Sequence, residues 1–330
     1  MLISPAILED IRTDSFLKYM YKHVLAFDRY LDSTSNLTIN LKGFELDLDD
    51  PSDAPDPVEY KIPYKMRWTK VYDNMQLCGF YNLEWFFALH PDQTPNYTMM
   101  ITLTGTHATP RNPKKGGLGH MAYLAKFHEA HRKAKDLMRK YLETDRYLSM
   151  LEGHPKSGYA HAHNLYFLYN EPSQKALDTI QNHWNNTLGM GSAKHGIKIV
   201  VNQPRNFNDI KSFIAYSMAY LGKTTIGDLP EWSKYDVIFN TCLWLSPRPK
   251  NFGGIGHRVR ACQPSRALSR IMHPHPQKGG YMHLETSVSD KKRNDSSVLY
   301  QASSYDVNIV AWENFGGDEP DCPIVEVHEF

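Results

Sequence analysis

The sequence predicts an α+β fold in which a central antiparallel β-sheet is flanked by helices. Three observations predict it. Residues 97–225 read in the order strand, helix, hairpin, helix, strand, helix. The hairpin strands are joined by a short turn, which only antiparallel neighbours allow. The chain has 330 residues, 41% of them hydrophobic, enough to cover a sheet with helices.

The elements follow from the N-terminus. Leu17, Met20, Tyr21, Val24, Leu25 and Leu31 keep the helical period, so residues 5–31 read as helical. Residues 47–60, DLDDPSDAPDPVEY, are acidic and Pro-rich and read as a linker or exposed loop. Residues 60–95 mix aromatic and polar positions and carry no clear period. YTMMITLT, 97–104, reads as a buried strand ended by Gly105, and a loop with PRNPKKGG follows. Residues 119–143 read as a long helix with Met121, Leu124, Ala125, His128, Leu137, Met138 and Tyr141 on or near one face. RYLSMLE (146–152) and YAHAHNLYFLY (159–169) flank the turn HPKSG and form the hairpin. Pro172 and Ser173 open a helix that stops at Gly189. GIKIVVN is a strand, and Asn208 or Asp209 caps a helix running to about Lys223. Three regions result: an N-terminal accessory region 1–95, partly helical; a central domain 96–228; and a C-terminal accessory region 229–330, rich in basic, Gly and Pro loops.

The net charge is +1, but charge is segregated. Seven acids lie between Glu45 and Glu59. Nine Lys/Arg against two acids lie between Arg111 and Lys140, and ten against two between Arg248 and Arg293. Such basic blocks suit phosphate binding, although either alone also suits a solvated face. Cys78, Cys242, Cys262 and Cys322 form no Cys-x-x-Cys pair, which argues against structural zinc and for reduced thiols. The first residues are not a signal peptide, and no segment approaches the ~20 apolar residues of a membrane span, so a soluble cytoplasmic protein is expected.

The chemistry-bearing residues start with His161-Ala-His163. Strand residues two apart share a face, so both imidazoles can meet one divalent cation. A second pair, His273-Pro-His275, sits among prolines and off any strand. If the hairpin turn is Pro155-Lys156-Ser157-Gly158, Glu152 falls opposite His161, with side chains ~5 Å apart on one face. Two imidazoles and a carboxylate suit Mg²⁺ or Mn²⁺ and leave positions for water and substrate oxygens; His154 is a weaker third ligand. Downstream, Tyr216, Tyr220 and Lys223 fall within a helical stripe of roughly 60°, while Ile210, Ile214, Ser217 and Leu221 form a neighbouring stripe that packs on the sheet. Each motif alone has a bland reading: core histidines, a solvent-facing glutamate, or half-buried tyrosines. Together they are the parts for metal-assisted phosphoryl transfer to a phenol, with Lys223 offsetting developing charge.

In this combination the chain resembles the rolling-circle replication initiators of the His-hydrophobic-His endonuclease superfamily, two-tyrosine type. Thr102-Leu103-Thr104 is similar to the family's first strand motif. Glu152-Gly-His-Pro-Lys-Ser-Gly-Tyr-Ala-His161-Ala-His163 is similar to its metal motif, and Tyr216-Ser-Met-Ala-Tyr220-Leu-Gly-Lys223 to its tyrosine motif, in the order found in initiators rather than in conjugative relaxases. Ala162 is smaller than the family's usual residue between the histidines, and Ala219 stands where relatives often carry Lys.

The resemblance implies a ferredoxin- or RRM-like nuclease palm. It also implies catalytic Tyr216, Tyr220 and Lys223, and a Mg²⁺ or Mn²⁺ ion held by His161, His163 and Glu152. The implied activity is site-specific nicking and joining of single-stranded or hairpin origin DNA through a covalent 5′-phosphotyrosine. That would start and end rolling-circle replication of a plasmid or viral genome beside a host polymerase and helicase. DNA contacts are expected from Thr102, Thr104, Lys114, Lys115, Arg248, Arg258 and Arg260, with Trp232, Tyr235 and Trp244 available to stack bases. A two-tyrosine transposase and a catalytically silent nucleic-acid-binding protein share these features. A zinc-dependent hydrolase would need three strong ligands and a general base, and the sequence has no His-Glu-x-x-His helix.

Overall fold

Strands Tyr97–Thr104 (β3), Tyr147–Gly153 (β4), Ala160–Leu168 (β5), Ile197–Asn202 (β6) and Cys262–Pro264 (β7) pair antiparallel in the order β6-β3-β5-β4-β7. The computed structural model describes residues 2–34, 37–46, 57–63, 68, 70–105, 118–192, 196–218, 232–246, 262–272, 280–290, 300–303, 307–310 and 324–327. β5 is the middle strand, and all nine of its residues are buried. A strand is buried on both faces only when both faces of its sheet are covered.

Alternation splits the cover into two cores. On one face, Met99, Ile101 and Leu103 of β3 and Ala160, Ala162, Tyr166 and Leu168 of β5 meet the long helix His120–Leu142 (α4). Helices Pro5–Thr13 (α1), Tyr21–Thr34 (α2), Gln174–Asn182 (α5) and Lys234–Leu245 (α7) join the same core. On the other face, Leu148 and Met150 of β4 and Leu165 and Phe167 of β5 meet Phe80, Leu83 and Phe87 of Lys70–Leu89 (α3), Ile210 and Ile214 of Phe207–Met218 (α6), and Leu268 and Met272 of Arg266–Met272 (α8). Each such side chain taken from water contributes about 1.5–3 kcal/mol. The expected α+β class, a central antiparallel sheet with flanking helices, is what the chain forms.

Four further strands, Leu37–Leu46 (β1), Pro57–Pro63 (β2), Gly280–Asp290 (β8) and Tyr300–Ser303 (β9), form a second antiparallel sheet in the order β2-β1-β8-β9. Val307–Val310 (β10) and Ile324–Val327 (β11) pair with each other.

Several local expectations are corrected. The helix expected over 5–31 is broken after Thr13, because Asp14 Oδ1 accepts the backbone N–H groups of Phe16 and Leu17 at 2.8 and 3.1 Å. Lys234 Nζ donates to the other oxygen of Asp14 at 2.9 Å and ties that break to α7. Residues 57–60, expected in a loop, belong to β2, where Glu59 sits opposite Lys42 and pairs with it at 2.9 Å. Residues 70–89, for which no period was evident, form α3. The buried face of α4 is Tyr123, Leu124, Phe127, Ala130, His131, Ala134 and Met138, so Ala125 and Tyr141 are exposed rather than inward. The cap of α6 is Asn206, whose Oδ1 accepts from Asp209 N–H at 3.2 Å. Trp232 is buried, and Trp244 packs against the rings of Phe27 and Tyr30, so both contribute to a core rather than present rings for stacking. Among the described residues, no helix is long and apolar enough to cross a membrane.

Candidate metal centre

The hairpin forms in the expected register. Ser157 and Gly158 N–H both donate to the His154 carbonyl, at 3.0 and 2.8 Å, and Gly158 takes φ +69°, a left-handed conformation that suits glycine. The turn therefore places Glu152 opposite His161 and Met150 opposite His163. On the other side of β5, β3 sets Thr104 opposite His161 and Thr102 opposite His163. Glu152, His161, His163, Thr102 and Thr104 thus share one sheet face, the face that α3, α6 and α8 cover.

One carboxylate oxygen is the focus. Glu152 Oε1 lies 2.7 Å from His161 Nε2 and 3.0 Å from His163 Nε2, and the ring centroids are 4.9 Å apart. One ligand atom from each residue falls within 4.8 Å of the others, so Glu152, His161 and His163 form a group able to hold a metal ion. Burial would raise the Glu152 carboxyl, but hydrogen bonds from His161 and His163 outweigh it and hold the pKa down to about 2. The carboxylate is charged at neutral pH, as a ligand must be.

The donor set, one anionic oxygen and two imidazoles without a thiolate, fits a divalent cation. With neutral rings, Nε2 of each histidine carries the proton that Glu152 accepts. His163 Nδ1 is then a bare acceptor, and the Thr102 hydroxyl lies 3.1 Å from it. For Nε2 to offer its lone pair to a cation, the proton must sit on Nδ1, and the same hydroxyl can rotate to accept it. Such a partner fixes a ligand's tautomer and ring angle. His161 Nδ1 is buried and has no hydrogen-bond partner among the described residues. His154 packs its ring edge-on to His161 at 5.8 Å, and its Nδ1 accepts from Lys156 N–H at 3.3 Å within the turn.

The reverse face stiffens the same strand. Asn164 Oδ1 accepts from His131 Nε2 of α4 and from the Ser149 hydroxyl of β4, both at 2.9 Å. Burial pushes the His131 pKa down to about 3, so the ring is neutral there. At the mouth of the hairpin, His120 Nε2 donates to the Ser157 carbonyl at 2.8 Å, and His120 Nδ1 accepts from the Tyr19 hydroxyl at 2.7 Å.

The expected metal residues Glu152, His161 and His163 come together. Thr102 and Thr104, read as DNA contacts, are beside them, and Thr102 is a histidine partner, a role the sequence reading did not assign. Tyr216 lies on α6, whose Ile210 and Ile214 pack on the sheet face that carries Glu152, His161 and His163, as expected, with Phe213 meeting Phe167 edge-on at 5.8 Å. Tyr220, Lys223, Lys114, Lys115, Arg248, Arg258 and Arg260 lie outside the described residues, as does the second pair, His273 and His275.

Compared with known proteins, the chain matches no family model, no curated protein and no solved structure.

Proposed function

We propose that this protein nicks and rejoins single-stranded DNA by metal-dependent transesterification onto a tyrosine, the step that starts and ends rolling-circle replication of a plasmid or viral genome. The observation that carries the reading is the convergence of Glu152, His161 and His163 on the sheet face that α6 covers. Glu152, His161 and His163 would hold Mg²⁺ or Mn²⁺, which when bound neutralises and polarises a scissile phosphate.

The chain's own residues supply the rest. Tyr216 or Tyr220 provides the phenol. Its oxygen forms a bond to phosphorus as the P–O3′ bond breaks, and the phenol proton ends on the 3′ oxygen. The products are a 5′-phosphotyrosine and a free 3′-hydroxyl, which a host polymerase can extend. The reverse attack by a 3′-hydroxyl rejoins the strand. Lys223 offsets charge on the phosphoryl oxygens, and the basic blocks carry the strand's phosphates. The partners would be origin DNA, single-stranded or hairpin, with host polymerase and helicase in the host cytoplasm.

The test is a denaturing gel of the protein incubated with labelled single strands from its own replicon, with and without Mn²⁺. The expected result is a covalent protein–DNA band that needs Mn²⁺ and disappears in the His161→Ala/His163→Ala variant and in the Tyr216→Phe/Tyr220→Phe double variant. DNA binding without any covalent band on every strand tried would leave a nucleic-acid-binding protein and remove the nuclease. Joining restricted to the ends of an insertion element would make it a transposase instead.

A further inference from the structure

The β3–β5 ladder ends on the pair Thr104 and His161. The next pair in that register, Gly105 opposite Ala160, is bridged by a side chain. Gly105 N–H donates to the Tyr123 hydroxyl at 2.9 Å, and that hydroxyl donates to the Ala160 carbonyl at 3.3 Å. A phenol from α4 therefore occupies the place of the next rung, one residue beyond the strand pair that carries the metal face. Tyr123 is fully buried, and its ring is braced edge-on by Tyr159 at 4.8 Å and alongside Phe127 at 6.0 Å. Gly105 is required there: a Cβ on it would lie 2.2 Å from the Tyr123 oxygen.

The two metal-binding histidines are supported differently. Thr102 is hydrogen-bonded to His163 Nδ1 and sets that ring. His161 Nδ1 is buried with no hydrogen-bond partner among the described residues, and its ring is held only through Nε2, 2.7 Å from Glu152 Oε1. That bond is given up when Nε2 turns to a cation, which leaves the placement of His161 to its backbone, and beside the ladder pair of Ala160 with Gly153 the Tyr123 hydroxyl on the Ala160 carbonyl pins the residue just before it. We propose that Tyr123 is a positioning residue for the metal centre, holding the start of β5 so that His161 meets the cation at the correct angle. The proposal rests on the metal reading of Glu152, His161 and His163, and it adds a residue from the opposite sheet face to that site.

The test measures metal binding apart from DNA cleavage. Mn²⁺ affinity is titrated, and the visible absorption of bound Co²⁺ is recorded, for the full-length protein, Tyr123→Phe, His161→Ala/His163→Ala and Phe127→Leu. The last change perturbs the same core without touching the hydroxyl. Tyr123→Phe is expected to weaken Mn²⁺ binding on the order of tenfold, in the range known for groups that orient metal ligands, and to shift the Co²⁺ bands. Phe127→Leu should leave both within about twofold of the parent protein, a small change against the tenfold effect of a lost orienting group. Gly105→Ala, which displaces the hydroxyl, should reproduce the Tyr123→Phe spectrum. Equal losses in Tyr123→Phe and Phe127→Leu would reduce Tyr123 to a core residue, and an unchanged Tyr123→Phe would overturn the proposal outright. Absence of Mn²⁺ binding in the parent protein, or binding indifferent to the histidine double variant, would overturn the metal reading itself and the proposal with it.

Discussion

Thr102 shows what a single hydroxyl can decide. Its hydrogen bond to His163 Nδ1 at 3.1 Å serves whichever ring nitrogen carries the proton, because a hydroxyl both donates and accepts. Thr102→Val keeps the shape and removes the bond, so Mn²⁺ affinity should fall roughly 10–100-fold, measured by titration calorimetry; an unchanged affinity would make the contact incidental. Histidines also set the acid limit of the fold. Burial pushes His120 down to about 4 and His131 down to about 3, below the usual imidazole value of about 6.5. The folded state keeps these rings neutral while the unfolded chain protonates them below about 6.5. Their stability contribution is therefore complete above pH ~6.5 and is lost as pH falls toward 4, at about 1.4 kcal/mol per pH unit for each ring. Urea melts between pH 7 and 4.5 should show that slope, and His120→Gln should flatten it by about half; an equal slope in the variant would assign the acid sensitivity elsewhere. At this scale the sequence brought Glu152, His161 and His163 together, since a Pro/Gly turn and strand alternation suffice to pair Glu152 with His161. It could not show Thr102 beside His163, because that register joins strands 61 residues apart in sequence, and no local pattern sets it.

The elements differ in how openly their sequences announce them. β5 and α6 were readable, one from its turn, the other from Ile210 and Ile214 at helical spacing. α3 was not, because its outward residues Tyr81, Trp85 and Leu89 are as apolar as its inward Phe80, Leu83 and Phe87, so no polar face betrays the helical period. The inward face of α4 was misread because His120 and His131 are buried on it, each made tolerable by hydrogen bonds. Phe167 is where elements meet: its ring contacts Phe87 of α3 at 5.5 Å and Phe213 of α6 at 5.8 Å. Phe167→Ala should cost about 3–5 kcal/mol in denaturant unfolding and should loosen α6 against the face that carries Glu152, His161 and His163. The expected companion effect is weaker covalent adduct formation at unchanged Mn²⁺ affinity. A parallel loss of Mn²⁺ binding would mean that the damage spreads along β5 instead.

For the molecule as a whole, the segments outside 96–228 are structural. α1, α2 and α7 join one core, and α3 and α8 join the other, so the expected accessory regions pack over both faces of the central sheet. A fragment of residues 96–228 should lack a cooperative thermal transition and should bind hydrophobic dyes; a sharp melt would show the flanks to be dispensable. The sequence hid this because contacts between distant segments leave no periodicity at either end.

The sheet that joins β1 to β8 extends that dependence into time. Leu46 pairs with Gly280 and Leu37 with Asp290, so β1 leaves the ribosome more than two hundred residues ahead of the strand that will lie along it. At the usual pace of synthesis that is on the order of 10–50 s during which β1 has only β2 beside it and one unpaired edge. The nascent chain is therefore open to mispairing at that edge for as long as its first hairpin waits for β8 to be made.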